Sequence, residues 1–279
     1  MNPQLESILK QAHQVFNHAP ARPDYRGPVH VGVDLGTSYT VMVVLDEHFQ
    51  PLAGRYQFAE IVRDGLVVDF IGAIQLVRKM KAELENQLGF ALEAAATTYP
   101  PGVPKAEVKA TANVLVGAGL ECSEFIDEPS GANALLQVQD GVVVDIGGGT
   151  TGIAVVENGK VVYTADEPTG GTHFSLVISG ALNVPFAQAE AIKVDPARGS
   201  SIYPLVYPVM QKVGSIVARH IKNYPVKTIY MVGGTSGMLG IAEVVEEMTG
   251  VKTFTPPHPM FVTPIGAAMY NQRASTTRR

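Results

Sequence analysis

Two short segments of the chain are near copies of each other, and their residue types suit phosphate binding. Residues 31–37 and 142–150 each run from an apolar strand to an aspartate, an apolar residue, a glycine turn and a hydroxyl. Glycines let backbone amides approach a phosphate because no Cβ stands in the way. Two such turns facing each other across a cleft could hold a polyphosphate and its metal ion. The pair therefore predicts a nucleotide-binding protein.

The two turns supply candidate ligands for the metal and for the phosphates. Mg²⁺ keeps several of its waters, so we expect Asp34 and Asp145 to hold it through water. Alternatively, both aspartates are turn-forming residues at strand ends. The candidate phosphate ligands are the backbone amides and hydroxyls of Gly36, Thr37, Gly147, Gly148, Gly149 and Thr150.

The composition bounds the class of protein. The 279 residues are 46% hydrophobic and 17% charged, which is typical of a globular chain with one large domain or two lobes. A formal net charge of −5 disfavours a nucleic-acid surface. The single Cys122 excludes an internal disulfide framework. No apolar run reaches the roughly 20 residues of a membrane helix, and no signal peptide is recognisable. We therefore expect a cytoplasmic protein with no membrane span and no nucleic-acid partner.

The elements that must position the turns follow from periodicity. Apolar residues on one helical face predict an amphipathic helix over residues 1–18, followed by a linker rich in Pro and Gly at 19–28. That helix could pack on its own domain or dock into the groove of a partner. The face is formed by Leu5, Ile8, Leu9, Ala12, Val15 and Phe16.

Each half of the remaining chain shows a strand, a phosphate-type turn, a second strand and then a helix. Residues 29–33 and 39–45 predict the two strands of one hairpin. A second hairpin is predicted with its turn at Asn158 and Gly159. We therefore expect an α/β fold of two duplicated lobes. The first is predicted at 29–139, with part of 250–279 returning to it, and the second at 140–265.

A dinucleotide-binding fingerprint is excluded although the spacing fits. Gly147, Gly149 and Gly152 match G-x-G-x-x-G. That motif needs the glycines to open a helix. Here residues 153–162 follow, and their composition indicates a hairpin. A P-loop motif is also absent from the sequence.

Five motifs, in order, resemble those of the Hsp70, actin and sugar kinase superfamily, over nearly the whole chain after the linker. The resemblance implies two duplicated ribonuclease H-like lobes around a nucleotide cleft, with a reduced insertion in the second lobe. The motifs are the first phosphate loop (34–40), the first connecting motif (128–132), the second phosphate loop (145–150), the adenosine motif (232–236) and the second connecting motif (264–268).

The resemblance also implies roles for single residues. Glu128 would orient the attacking water. Asp34 and Asp145 would also take part in catalysis, as the carboxylates that hold the metal ion. Glu190 and Lys193 resemble the pair that holds the ribose hydroxyls, although an ordinary solvated ion pair is the alternative at this i,i+3 spacing. The residues assigned to the nucleotide in this way are Ser38, Gly170, Gly171, Glu190, Lys193, Gly233, Gly234 and Thr235.

Within the superfamily, the length and the set of segments most resemble the EutJ-type ethanolamine-utilisation family. That resemblance implies that the protein binds ATP or ADP with Mg²⁺ and is a slow ATPase that acts as a chaperone-like switch. It also implies a cytoplasmic location, in association with a bacterial microcompartment. It implies a pathway enzyme or a shell protein as partner, reached through the N-terminal helix. No lysine aligns with the one near the γ-phosphate of Hsp70; Lys79, Lys81 and Lys105 do not fit. The alternatives are a sugar or small-molecule kinase and a nucleotide-binding scaffold without hydrolysis.

Overall fold

The computed structural model describes residues 3–63, 66–101 and 105–270. The helices are α1 (Pro3–Val15), α2 (Phe70–Leu88), α3 (Lys105–Gly117), α4 (Glu128–Leu136), α5 (Gly171–Leu182), α6 (Phe186–Val194), α7 (Gly199–Ile221), α8 (Ile241–Thr249) and α9 (Val262–Tyr270). The strands are β1 (Val29–Leu35), β2 (Tyr39–Asp46), β3 (Pro51–Phe58), β4 (Val62–Arg63), β5 (Leu66–Val67), β6 (Ala94–Tyr99), β7 (Glu121–Asp127), β8 (Gly141–Ile146), β9 (Thr151–Glu157), β10 (Lys160–Glu167), β11 (Thr228–Val232) and β12 (Lys252–Phe254).

The chain divides into two compact units, with boundaries after Gln137 and after Met260. The first unit therefore includes α1 and the predicted linker, and it resumes at Phe261 with α9. These boundaries lie two and five residues before the predicted ends of the lobes at 139 and 265. Residues 1–2 of the predicted N-terminal helix and 271–279 of the predicted returning segment lie outside the described residues.

The first unit is built on a five-stranded sheet in the order β3-β2-β1-β6-β7. Side chains alternate between the two faces of a strand. Val31 and Val33 on β1 share a hydrophobic core with side chains of α2 and α3. Gly32, between them, faces α9, where an added Cβ would lie 2.2 Å from the Pro264 carbonyl oxygen. The sheet is thus covered by α2 and α3 on one face and by α9 on the other.

The second unit repeats this topology with the strand order β10-β9-β8-β11-β12. In both units the first three strands in sequence are antiparallel, and the first pairs in parallel with a later strand. The hairpin predicted at Asn158 and Gly159 joins β9 to β10, and both residues have positive φ, at 50° and 74°. The predicted α/β fold with two duplicated lobes is confirmed. The glycine turn at 147–150 leads into strand β9, so the exclusion of a dinucleotide-binding fingerprint holds.

The N-terminal helix packs on its own unit. The predicted apolar face is buried, and α1 lies against β3. Phe16, which follows α1, stacks on Phe261 with ring centroids 4.1 Å apart. The apolar face of α1, which could have docked into the groove of a partner, is therefore buried within the first unit.

The segment after α1 covers the free edge of β3. The Asn17 amide nitrogen donates to the Gly54 carbonyl at 2.9 Å. The Asn17 side chain bonds both backbone groups of Tyr56, at 3.1 Å each. Farther on, the Ala21 amide donates to the Leu52 carbonyl at 2.8 Å, so the predicted linker is held against the unit. Unpaired strand edges invite pairing with other chains, and this cover removes one.

No helix in the described part of the chain is both long enough and apolar enough to cross a membrane.

Candidate functional site

The two aspartate-glycine turns have the same hydrogen-bond geometry. In the first unit Asp34 pairs with Val41, and the Gly36 amide donates to the Tyr39 carbonyl at 3.1 Å. In the second unit Asp145 pairs with Gly152, and the Gly147 amide donates to the Thr150 carbonyl at 3.0 Å. The closed turns therefore have two central residues each, which are Thr37 and Ser38 in the first unit and Gly148 and Gly149 in the second.

In the first unit the structure adds a residue that the sequence did not reveal. The Thr98 hydroxyl donates to Asp34 Oδ1 at 2.9 Å. Thr98 lies on β6, which runs parallel to β1, so both residues are at the carboxyl edge of the sheet. Glu128 begins α4 directly after β7, the next parallel strand. Asp34, Thr98 and Glu128 therefore occupy successive strand ends at one edge of this unit.

In the second unit Asp145 is packed against the adenosine motif. Its exposed fraction is 8%. Gly233 has φ of +84°, and a Cβ there would lie 2.2 Å from Asp145 Oδ1. Only glycine tolerates both this conformation and this close approach. The resemblance assigned Gly233 to the nucleotide, and the structure gives a separate reason for glycine, which is room for the carboxylate of Asp145.

Helix α5 braces the second turn. The amides of Gly171 and Thr172 donate to the carbonyls of Gly147 and Gly148, at 2.9 and 2.7 Å. The Thr235 hydroxyl also donates to the Gly147 carbonyl, at 2.9 Å. Three groups from distant parts of the sequence therefore fix the turn. An added Cβ on Gly170 would lie 2.7 Å from the Thr150 nitrogen, so the turn and the helix meet backbone to backbone.

Glu190 and Lys193 form a buried ion pair, and the solvated pair that was the alternative is wrong. Lys193 Nζ lies 2.7 Å from Glu190 Oε2, and the two side chains are 5% and 7% exposed. Lys193 also donates to the Gly171 carbonyl at 3.1 Å, and the Ser175 hydroxyl donates to Glu190 at 2.5 Å. Burial lowers the pKa of Lys193, and the neighbouring Glu190 partly offsets this. The pair is thus connected to the braced turn through Gly171.

Lys193→Met is expected to lower the free energy of unfolding by about 3 kcal/mol, because it leaves the Glu190 carboxylate buried without its cation. Lys193→Met with Glu190→Gln should recover most of that loss, since no charge then remains buried. Urea denaturation followed by circular dichroism measures both. Lys252→Met breaks an exposed pair with Glu246 and serves as the control, with little expected change in stability because water screens that pair. Equal losses in the single and double variants would contradict the charge argument.

The two connecting motifs pack directly on each other within the first unit. Asp127 caps α4 by accepting from the Ser130 amide at 3.0 Å, which fixes the start of the helix at Glu128. On α9, an added Cβ at Gly266 would lie 1.8 Å from the Gly131 carbonyl oxygen. The backbones of α4 and α9 therefore cross without an intervening side chain.

An open cavity of about 470 Å³ lies in the second unit, next to the adenosine motif. Its walls come from the loop after β11, the start of α8 and the loop after β12. β8, β11 and β12 are parallel, so the cavity lies at the same carboxyl edge as the turn at 147–150. The Gly233 amide donates to the Pro259 carbonyl at 3.1 Å and joins the two loops.

The second unit thus brings together Asp145, Gly147, Gly148, Gly149, Thr150, Gly170, Gly171, Glu190, Lys193, Gly233, Gly234 and Thr235. The first unit holds Asp34, Gly36, Thr37, Ser38 and Glu128. Among the described residues no group of three or more His, Cys, Asp or Glu side chains could hold a metal ion. An ion bound at either aspartate would therefore need most of its ligands from water or from a phosphate.

Comparison with known proteins identifies the family. The ethanolamine utilization protein EutJ of Escherichia coli (strain K12) is 41% identical over 261 residues, which is 93% of this chain and 91% of that one. The chain belongs to the EutJ family. The crystal structure of EutJ from Carboxydothermus hydrogenoformans matches with a TM-score of 0.91 at 46% identity, covering 96% of this chain and 98% of that one.

More distant matches extend beyond the EutJ family. The model of the MreB/Mbl protein family matches residues 54–195, and that of the cell division protein FtsA matches residues 142–266. The structure of MreB 5 of Spiroplasma citri bound to AMPPNP has a TM-score of 0.71 at 15% identity, covering 88% of this chain and 96% of that chain. This likeness shows a shared fold.

Proposed function

We propose that the protein binds ATP and ADP with Mg²⁺ and acts as a nucleotide-dependent switch in ethanolamine utilisation. The observation that carries the proposal is the duplicated closed turn, in which an aspartate stands two residues before the first glycine in both units. The proteins named EutJ supply the pathway, and the MreB 5 structure supplies an example of this fold with a bound ATP analogue.

The phosphates are proposed to meet the turn amides and hydroxyls, which approach closely because of the glycines. Asp34 and Asp145 would hold Mg²⁺ through its waters, a role that suits hard carboxylate oxygens and a small number of protein ligands. Bound Mg²⁺ would neutralise phosphate charge. Thr98 would keep the Asp34 carboxylate in one orientation.

The sugar and the base are proposed to lie farther along the carboxyl edge of the second unit. Glu190 and Lys193 would meet the ribose hydroxyls. The adenine would enter the cavity beside Gly234 and Thr235. Met238 and three prolines line part of that cavity and offer apolar contacts to a flat ring, while polar side chains that include Glu243 and His258 line the rest.

Hydrolysis is proposed to be slow, with Glu128 orienting the attacking water. The partners of two lysines support slow hydrolysis, because they leave neither as a clear substitute for the lysine near the γ-phosphate of Hsp70. Lys79 donates to the side chain of Gln57 on β3 at 3.2 Å, and Lys81 pairs with Glu85 one turn later on α2 at 2.6 Å, so both have partners within the first unit. The side chain of Lys105 lies outside the described residues. Slow turnover suits a switch, since the bound nucleotide then persists long enough to be recognised.

The proposed partner is an ethanolamine-pathway enzyme or a microcompartment shell protein. The nucleotide can shift the protein between states only by its difference in affinity for them. Because the apolar face of α1 is buried on its own unit, a partner that uses this helix would contact its exposed side.

Calorimetric titration with ATP and ADP, with and without Mg²⁺, tests the proposal, with phosphate release followed in the same samples. We expect Mg²⁺-dependent binding of both nucleotides and slow release of phosphate from ATP. Glu128→Gln should keep the affinity and slow phosphate release at least about tenfold, since water positioning is lost. Glu121→Gln, at the other end of β7, is the control and should match the wild type.

The outcomes separate the alternatives. If neither nucleotide binds, the proposal is wrong. Binding with no phosphate release would favour a scaffold without hydrolysis. ATP consumption that requires an added sugar would favour a kinase.

A further inference from the structure

A buried serine on α5 contacts the buried ion pair of α6. Ser175 is fully buried. Its hydroxyl oxygen lies 2.5 Å from Glu190 Oε2 and 3.2 Å from the Gly171 carbonyl oxygen. A hydroxyl has one hydrogen to donate, and a short contact to a carboxylate is the stronger of the two bonds. Ser175 therefore donates to Glu190.

This hydrogen bond determines which oxygen of Glu190 remains available. Among the described residues, the side-chain partners of Glu190 are Ser175 and Lys193, and both contact Oε2. Oε1 is left as an acceptor. Lys193 uses two of its three ammonium hydrogens, one for Glu190 and one for the Gly171 carbonyl. The pair thus keeps one acceptor and one donor that the described part of the chain does not use.

The ion pair lies between the phosphate-type turn and the cavity beside the adenosine motif. An added Cβ on Gly171 would lie 2.9 Å from Lys193 Nζ, 2.6 Å from Thr235 Oγ1 and 3.4 Å from the Gly147 carbonyl oxygen. These three groups therefore lie close together around Gly171. Gly147 belongs to the turn, and Ser236, which follows Thr235, lines the cavity. In the proposed binding mode, the sugar would connect the phosphates to the base at this position.

We propose that Ser175 makes the site selective for ribonucleotides over deoxyribonucleotides. The inference rests on the proposed nucleotide-binding function and adds a positioning residue to it. Two neighbouring ribose hydroxyls match the remaining groups of the pair, because one hydroxyl can donate to Glu190 Oε1 while the other accepts from Lys193. By holding Oε2, Ser175 keeps Oε1 turned toward the sugar. A sugar that lacks one of these hydroxyls leaves a buried polar group without its partner, and sites of this kind reject such ligands.

Calorimetric titration of the full chain with the Mg²⁺ complexes of ATP, 2′-deoxy-ATP and 3′-deoxy-ATP tests the inference. The wild type should bind ATP at least about tenfold more tightly than each deoxy form, which is the effect of one lost hydrogen bond to a charged group. Ser175→Ala should reduce this preference at least about threefold against the form that lacks the hydroxyl bound to Glu190. Its affinity for that form should be unchanged, whereas a general structural loss would weaken all three nucleotides equally.

Two further variants serve as comparisons, and circular dichroism checks that all are folded. Ser179→Ala is the matched control, because Ser179 lies one turn later on α5 and donates to the Val184 carbonyl at 2.6 Å. It should keep the preference of the wild type. Ser175→Cys fills the site with a weaker donor and should give an intermediate preference.

The outcomes distinguish this inference from the proposed function. If the wild type binds ATP and both deoxy forms equally well, the inference is wrong and the proposed function stands. The same holds if Ser175→Ala keeps the full preference, if it weakens all three nucleotides equally, or if Ser179→Ala has the same effect. If none of the three nucleotides binds, the proposed function is wrong, and the inference fails with it.

Discussion

Asp145→Asn is expected to weaken the binding of Mg-ATP by about 10–100-fold while the fold is retained. A carboxylate that grips the waters of a metal ion acts from the outer shell, and loss of such a group has an effect of this size. Asparagine has nearly the same shape, so the packing of this side chain against Gly233 should survive. The pairing of residue 145 with Gly152 uses backbone groups and does not depend on the side chain.

Comparing ATP affinity with and without Mg²⁺ tests the metal-binding role of Asp145 more directly than the Mg-ATP affinity alone. Without the metal, Asp145→Asn should bind ATP as well as the wild type or better, because the carboxylate repels the phosphates. Calorimetry with and without Mg²⁺ measures both effects. Asp140→Asn is the control, because Asp140 accepts from the Asn158 amide at 3.1 Å near the hairpin turn. Mg-ATP affinity equal to the wild type in a folded Asp145→Asn protein would remove Asp145 from the site.

Gly266→Ala is expected to lower the free energy of unfolding by about 4 kcal/mol, which is large for a single substitution. The new methyl group would lie 1.8 Å from the Gly131 carbonyl oxygen and 2.7 Å from its carbon. Both are backbone atoms, so no side-chain rotation relieves the clash, and α4 and α9 must move apart. Since a domain is typically stable by only about 5–15 kcal/mol, a large part of the stability is lost.

Urea denaturation followed by circular dichroism measures this loss. Gly180→Ala is the matched control, because it makes the same change inside a helix where the added Cβ meets open space. Alanine should there leave stability unchanged or raise it by about 0.5–1 kcal/mol. Gly131→Ala should be milder than Gly266→Ala, since its nearest contact is at 3.4 Å. If Gly266→Ala unfolds at the urea concentration of the wild type, the close helix crossing is absent in solution.

Local sequence patterns predicted several helices and strands correctly. They did not predict features that depend on tertiary packing. Helix α2 begins at Phe70, directly after the two-stranded sheet of β4 and β5. The Asp69 side chain caps α2 by accepting from the Gly72 amide. Helix α7 continues through two prolines, which local rules treat as helix breakers. Its buried apolar residues hold it in place on the second unit.

The candidate site divides in the same way. The five motifs contain most of the candidate residues, and the similarity to EutJ proteins confirms the family. The hydrogen bond from Thr98 to Asp34 had no signal in the sequence, because the two residues are far apart along the chain. The spacing of Glu190 and Lys193 predicted that they could pair, but it did not predict that the pair is buried. Burial depends on α5, which packs beside α6.

The two aspartate-glycine turns and the apolar face of α1 follow from the sequence alone. These features depend on residues a few positions apart, and the chain's own periodicity sets them. Three other features depend on tertiary packing: Gly233 makes room for Asp145, groups from α5 and from Thr235 hold the turn at Gly147, and Gly266 meets Gly131. Those contacts join residues far apart in sequence, and they exist only once the strands and helices have packed.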